Sequence, residues 1–312
     1  MYVGIDLGGT NIAAGIVDEN GKILVKGSVP TEAERPMEEI TADMAKLSKQ
    51  LICDAGLEMS DIKAIGIGCP GSVVNETGVI AYSNNIKISN FKLADEMHKH
   101  IDLPVNLEND ANAAAFGEYA INGNGAKSFV FITLGTGVGG GVVLDGKIMR
   151  GFNGAGAELG HTSIVLDGEE CTCGRKGCWE AYASVTALIR QTKAAMDKNP
   201  DSLMHEVAEK EGKISGRTAF DAAKKGDAAA NDVVNTYIKY VADGIVNMIN
   251  IFQPEKLIIG GGISKEGDYL LNPIREYVRK YDYNKYLQRA EIEIATLFND
   301  AGIIGAALAA KK

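Results

Sequence analysis

Apolar residues run together from Tyr2 to Leu7, break at Gly8-Gly9, resume from Ala13 to Val17, turn at Asp18-Glu-Asn-Gly21 and continue from Lys22 to Lys26. Short apolar runs separated by turn residues predict a hairpin meander with a glycine elbow. The plan recurs half a chain later. Phe129 to Leu134 reads as a strand, Gly135-Thr-Gly-Val-Gly-Gly-Gly141 as a glycine loop, Val142 to Leu144 as the next strand, and Asp145-Gly146 as a turn before Lys147-Ile148-Met149. Ile5-Asp-Leu-Gly-Gly-Thr10 and Ile132-Thr-Leu-Gly-Thr-Gly137 hold matching places, so the pattern predicts an internal duplication: two related α/β domains facing a cleft in which ligands lie.

Helical spacing covers Pro36 to Ala55, a buried strand Ala64 to Gly68, and Leu103-Pro-Val-Asn-Leu107 runs into an alanine-rich helix, Ala111 to Ala120. After the second glycine loop come a loop-rich insert, helices at Glu180 to Ala195 and Asn231 to Phe252, and a strand, Lys256 to Ile259, ending in Gly260-Gly-Gly262. The expected division is a smaller N-terminal α/β domain, 1–120, on which a C-terminal helix at 302–312 packs back, and a larger α/β domain, 121–301, bearing the insert at 151–180.

Composition narrows the function. With 46% hydrophobic and 23% charged residues over 312 positions, disorder, collagen-like repeats and coiled coil are excluded. A net charge of -9 repels phosphate backbones and anionic membranes, which points to small-molecule partners and away from nucleic acid. No run approaches the roughly 18 apolar residues of a membrane span, and the first residues lack a secretory pattern, so a cytoplasmic location is expected. Glycine, 37 residues or about 12% against a usual 7% or so, must act locally. Of five cysteines, three crowd between Cys171 and Cys178, which reads as a metal site, and Cys53 and Cys69 read as buried small hydrophobes.

Asp6-Leu-Gly-Gly-Thr10 ends a strand with two glycines, which lets amides and the Thr10 hydroxyl approach an anion. A carboxylate at its base suits the water shell of Mg²⁺. A plain hairpin turn explains the same residues. The second glycine loop repeats the cradle, and two cradles suggest a polyphosphate such as a nucleotide carries. Neither is a P-loop, since Gly-Lys-Ser/Thr is missing. Asp110, where strand becomes helix, is placed for an N-cap or for a base taking a hydroxyl proton in phosphoryl transfer. His161, Cys171, Cys173 and Cys178 fit a closed tetrahedral Zn²⁺ site with a structural role. Glu158 and Glu180 flank it, either as carboxylates held for sugar hydroxyls or as solvated side chains.

In this order, Asp6-Leu-Gly-Gly-Thr10, Glu108-Asn-Asp-Ala-Asn112, Leu134-Gly-Thr-Gly-Val-Gly139, Glu158-Leu-Gly-His161 and Cys171-x-Cys-Gly-x-x-Gly-Cys-x-Glu180 resemble the ROK family (repressors, open reading frames and kinases), most closely its glucokinases. The resemblance implies a two-domain, actin-like ATPase (ribonuclease H-like) fold. It implies ATP-dependent phosphorylation of a hexose, glucose first, at the 6-hydroxyl, with Mg²⁺ and structural Zn²⁺, and a homodimer or homotetramer. It makes Asp110 the catalytic base, and Asn85, Asn109, Asp110, Glu158, His161 and Glu180 the sugar contacts, His161 serving zinc and sugar through different ring nitrogens. Asn85 stands in a loop, Ser83-Asn84-Asn85-Ile86, that lacks the tryptophan of the family's usual pattern. Asp6, Gly8, Gly9, Thr10 and Asn11, with Thr136, Gly137, Gly261 and Gly262, are the nucleotide candidates. N-acetylmannosamine, N-acetylglucosamine, fructose or allose are rival acceptors. A sugar-responsive repressor is the rival class, and it is disfavoured by a chain that opens on its first core strand with no helix-turn-helix ahead of it.

Overall fold

The computed structural model describes residues 1–83 and 86–311. Strands β1 (Tyr2–Leu7), β2 (Asn11–Val17) and β3 (Ile23–Pro30) form the expected meander. Helix α1 (Met37–Asp54) leads to β4 (Ala64–Cys69), then to short strands β5 (Ser72–Val74), β6 (Val79–Ser83) and β7 (Ile88–Phe91). Helix α2 (Leu93–His98), β8 (Val105–Asn109) and α3 (Asp110–Asn122) follow. The second half opens with β9 (Ser128–Leu134), β10 (Val138–Leu144) and β11 (Lys147–Ile148). After the insert come α4 (Glu180–Ala183), α5 (Val185–Lys198), α6 (Leu203–Glu211), α7 (Thr218–Ala223) and α8 (Ala228–Phe252). The chain closes with β12 (Lys256–Gly260), α9 (Asp268–Tyr281), β13 (Glu291–Ile294) and α10 (Asp300–Ala309).

Among the described residues the strands make two five-stranded sheets, ordered β3-β2-β1-β4-β8 and β11-β10-β9-β12-β13, and a three-stranded sheet β5-β6-β7. In the first, β1/β2 and β2/β3 are antiparallel while β1/β4 and β4/β8 are parallel. In the second, β10/β11 is antiparallel and β12/β13 parallel. One strand order occurs twice, as the two matching glycine elbows lead one to expect.

The chain divides into two compact units. One comprises Met1–Phe131, Gly141–Ala157 and Thr296–Lys312, the other Ile132–Gly140 and Glu158–Ala295. In the first, α1 buries Met37, Ile40, Met44, Leu51 and Ile52, the i, i+3, i+4 stripe of an amphipathic helix, into a core with Val3, Ile5, Ile12, Ile65 and Ile67. Strand β3 alternates half-buried and exposed residues, as an edge strand does. Helix α10 is buried from Ala301 to Leu308. It lies so close that a Cβ at Gly4 or Gly66 would collide with its carbonyls, Ile303 O and Ala306 O, and one at Gly305 with Ala113 O of α3. Part of the glycine excess therefore makes a seat for one helix.

Two expectations need correction. The second glycine run is not a loop as far as Gly141, because β10 starts at Val138. A Cβ at Gly141 would sit 2.5 Å from Ala115 Cβ, so its glycine makes room for α3 on the strand. Cys53 is exposed, although Cys69 is buried as expected, because Cys53 falls outside the buried stripe of α1.

Candidate active site and metal-binding loop

In the first unit, β8 passes directly into α3. Asn109 is the N-cap: its Oδ1 accepts the Asn112 amide at 3.0 Å, and its Nδ2 donates to Gly71 O at 3.0 Å. Capping is thereby done by Asn109, and Asp110 stands at the first helical position, half-buried, with Oδ1 accepting the Ala111 amide at 2.8 Å. A carboxylate there also gains from the positive end of the helix. The N-cap reading of Asp110 is thus excluded, because the residue before it is the cap.

Asp6, the last residue but one of β1, lies close enough to this elbow to feel the charge of Asp110. Burial first, and then the charge of Asp110, push its carboxyl up from 3.8 to about 6. The folded chain thus favours the neutral acid, so this group's contribution to stability is full below about 3.8 and lost as pH rises through 6. Denaturation midpoints followed from about pH 4 to about pH 7 are expected to decline less in Asp6→Asn than in the wild-type chain, and parallel curves would contradict this. In the adjoining loop the Gly8 amide is committed to Asn11 O at 3.0 Å. Thr31 ties the loop down, its amide to Thr10 O at 2.9 Å and its hydroxyl to Gly8 O at 2.6 Å. Gly9, Thr10 and Asn11 are its exposed members.

In the second unit, the Nδ1 of His161 and the sulfurs of Cys171, Cys173 and Cys178 all lie within 4.8 Å of one another, and this cluster could hold a metal ion. A tetrahedral ion with bonds of about 2.3 Å to sulfur and about 2.0 Å to nitrogen sets two sulfurs about 3.8 Å apart and a sulfur and a nitrogen about 3.5 Å apart. Cys173 and Cys178 sulfurs stand at 3.7 Å, and Cys171 Sγ at 3.5 Å from His161 Nδ1. Burial, and then the neighbouring thiols, push Cys178 up to about 12. Crowded thiolates of this kind become compatible once a cation sits among them.

The chain's single tryptophan, Trp179, anchors this loop. It is fully buried, its Nε1 donates to Tyr240 O of α8 at 2.8 Å, and its ring occupies the space where a Cβ at Gly244 would stand. Cys178 and Glu180 flank it in sequence, so one core side chain fixes both. Glu180 is no solvated side chain: Oε2 accepts the Val138 amide at 3.0 Å and Oε1 the Thr172 hydroxyl at 3.2 Å. Its carboxylate fills the space a Cβ at Gly137 would need. The glycine there accommodates Glu180, which local spacing could not reveal. Glu158 is exposed and opens the 3-10 turn Leu159–His161. Thr136 and Gly262 are exposed, and Gly261 adopts a positive φ of 86° against the end of β9. Asn85 lies outside the described residues.

An α/β sheet order that occurs twice, with paired carboxylates at the elbow of the first copy and a candidate metal-binding loop after the second, defines the class: an α/β protein of the actin-like ATPase fold. The ROK family model matches residues 2–312. The chain is 40% identical to the glucokinase of Thermotoga maritima over 310 residues, 98% of this chain and 95% of that one. A ROK family glucokinase from Streptomyces griseus, solved in complex with glucose and AMPPNP, superposes with a TM-score of 0.83 at 36% identity, covering 98% of this chain and 97% of the other. The xylose repressor of Caldicellulosiruptor bescii is 28% identical over 97% of this chain and 76% of its own. The chain belongs to the ROK family.

Proposed function

We propose that this chain transfers the γ-phosphoryl group of ATP to the 6-hydroxyl of a hexose, glucose before others. The observation that supports the reading is the elbow: Asn109 caps α3, so the Asp110 carboxylate at the first helical position is not taken up as the cap. Likeness to glucokinases at 36–40% identity over nearly the whole chain supports it. In the reaction, the sugar oxygen attacks the γ-phosphorus while its proton passes to Asp110, and ADP leaves with the bridging oxygen.

Sugar hydroxyls meet Asn85, Asn109, Asp110, Glu158, the Nε2 of His161 and the remaining lone pairs of Glu180. Asn109 and Glu180 are themselves held by backbone partners, so they offer fixed acceptors and donors, the condition for discriminating one hydroxyl from its epimer. Nucleotide phosphates meet Gly9, Thr10 and Asn11, the exposed members of the first glycine loop, and Thr136 and the half-buried Gly137 of the second, with Gly261 and Gly262 for the nucleoside. Asp6 fits a role beside a divalent cation, because a buried carboxylate facing another is relieved by positive charge; Mg²⁺, when bound, supplies charge neutralisation of the phosphates. The His161 and cysteine set suits zinc with every position filled by protein, so zinc pins the loop and fixes the His161 ring. On the same family likeness the enzyme works in the cytoplasm as a homodimer or homotetramer.

A coupled ADP-release assay over glucose, fructose, allose, N-acetylmannosamine and N-acetylglucosamine tests the reading through kcat/KM. Glucose is expected to rank first. Another sugar ranking first would overturn the choice of glucose, and ADP release with none of them would overturn the activity.

A further inference from the structure

Glu108, two residues before Asp110, is only 2% exposed. Arg150, two residues beyond β11, meets its Oε2 with Nε at 2.7 Å and a terminal nitrogen at 2.6 Å. Asn75, in the turn between β5 and β6, donates its Nδ2 to the same oxygen at 3.4 Å and more tightly to Leu107 O at 2.6 Å. The other oxygen, Oε1, accepts the Asn109 amide at 3.1 Å and Asn112 Nδ2 at 3.4 Å. One buried carboxylate therefore gathers the end of β8, the first turn of α3, the β5–β6 turn and the segment after β11.

A buried carboxylate stays charged when a cation and several donors surround it, and removing the cation leaves that charge uncompensated. The arrangement is costly to build, and it sits directly behind the residue that must face the acceptor. A base works within narrow limits of position and angle, and a displacement of about 1 Å can cost about 10²-fold in rate.

We propose that the Glu108–Arg150 pair is a positioning device for phosphoryl transfer. It fixes the β8–α3 elbow so that the Asp110 carboxylate is aimed at the sugar hydroxyl, while neither Glu108 nor Arg150 touches substrate. This rests on Asp110 being the base.

Steady-state kinetics of Arg150→Ala and Arg150→Lys test it. The alanine variant is expected to lose about 10–100-fold in kcat with KM for sugar and ATP little changed. Arg150 is 38% exposed along its side chain, so millimolar guanidinium ion can enter the vacated space, and it is expected to restore much of the lost kcat. Lysine keeps the charge without a second nitrogen at Oε2 and is expected to fall between the two. Wild-type kcat, a loss confined to KM, or a folded alanine variant that guanidinium does not rescue would overturn the proposal. If the alanine variant does not fold, the lysine variant decides: reduced kcat at unchanged KM supports the role, and wild-type kcat overturns it. Asp110→Asn run in parallel separates the two claims. Full turnover there refutes the base itself, whereas an inactive Asp110→Asn beside a fully active Arg150→Ala refutes only the positioning.

Discussion

Asp110→Asn is expected to lower kcat for glucose by about 10²–10⁴-fold, the range a positioned general base supplies, with little change in sugar binding or in melting temperature. The fold tolerates the change because asparagine keeps an oxygen for the Ala111 amide and the capping oxygen belongs to Asn109. What is lost is a proton acceptor, together with a modest helix-terminus interaction of about 0.3–1 kcal/mol. A second signature separates this from general damage. The charge of Asp110 helps hold Asp6 at about 6, so in the variant Asp6 should titrate lower, which carboxyl NMR reads directly. Near wild-type turnover would remove Asp110 from the mechanism.

Cys171→Ser is expected to weaken zinc by more than the roughly 10–100-fold typical of losing an outer-shell partner, and to lower stability and sugar affinity together. The coupling has a structural cause. Cys171 stands 3.5 Å from His161 Nδ1, and its neighbour Thr172 donates to Glu180 at 3.2 Å. Releasing one sulfur therefore frees a ring and loosens a carboxylate, both proposed to face the sugar. Metal analysis after dialysis, thermal melts and KM for glucose check the three effects in one preparation. A zinc-free variant with an unaltered KM would show that the loop and the sugar are independent.

How much of this was legible beforehand varies with the range of the interactions. The strand Tyr2–Leu7 was readable at its ends because a mostly apolar run, interrupted only at Gly4 and Asp6, is stopped by Gly8-Gly9. The metal cluster was readable because its ligands fall within a short stretch of chain. The glycines of β10 were not, since Gly141 answers to Ala115 in a helix earlier in the chain. The glycine excess looked like ligand chemistry, yet Gly4, Gly66 and Gly305 serve the packing of α10, and Gly137 the approach of Glu180. Arg150 carries no local signature: its partner Glu108 lies 42 positions away. Trp179 did carry a signal, as a lone tryptophan between a thiol and a carboxylate, which marks where a functional loop is nailed to a core. Strands β5–β7 are short, exposed at several positions and weakly patterned, so periodicity did not disclose them.

The acid opening α3 is proposed to take the proton from the acceptor sugar. A crystal structure of the chain with glucose and a non-hydrolysable ATP analogue tests it most directly. An Asp110 carboxylate oxygen is expected within about 2.6–3.2 Å of the glucose 6-hydroxyl, with that hydroxyl in line with the γ-phosphorus. A different carboxylate at the 6-hydroxyl, or Asp110 turned away from both ligands, would contradict it.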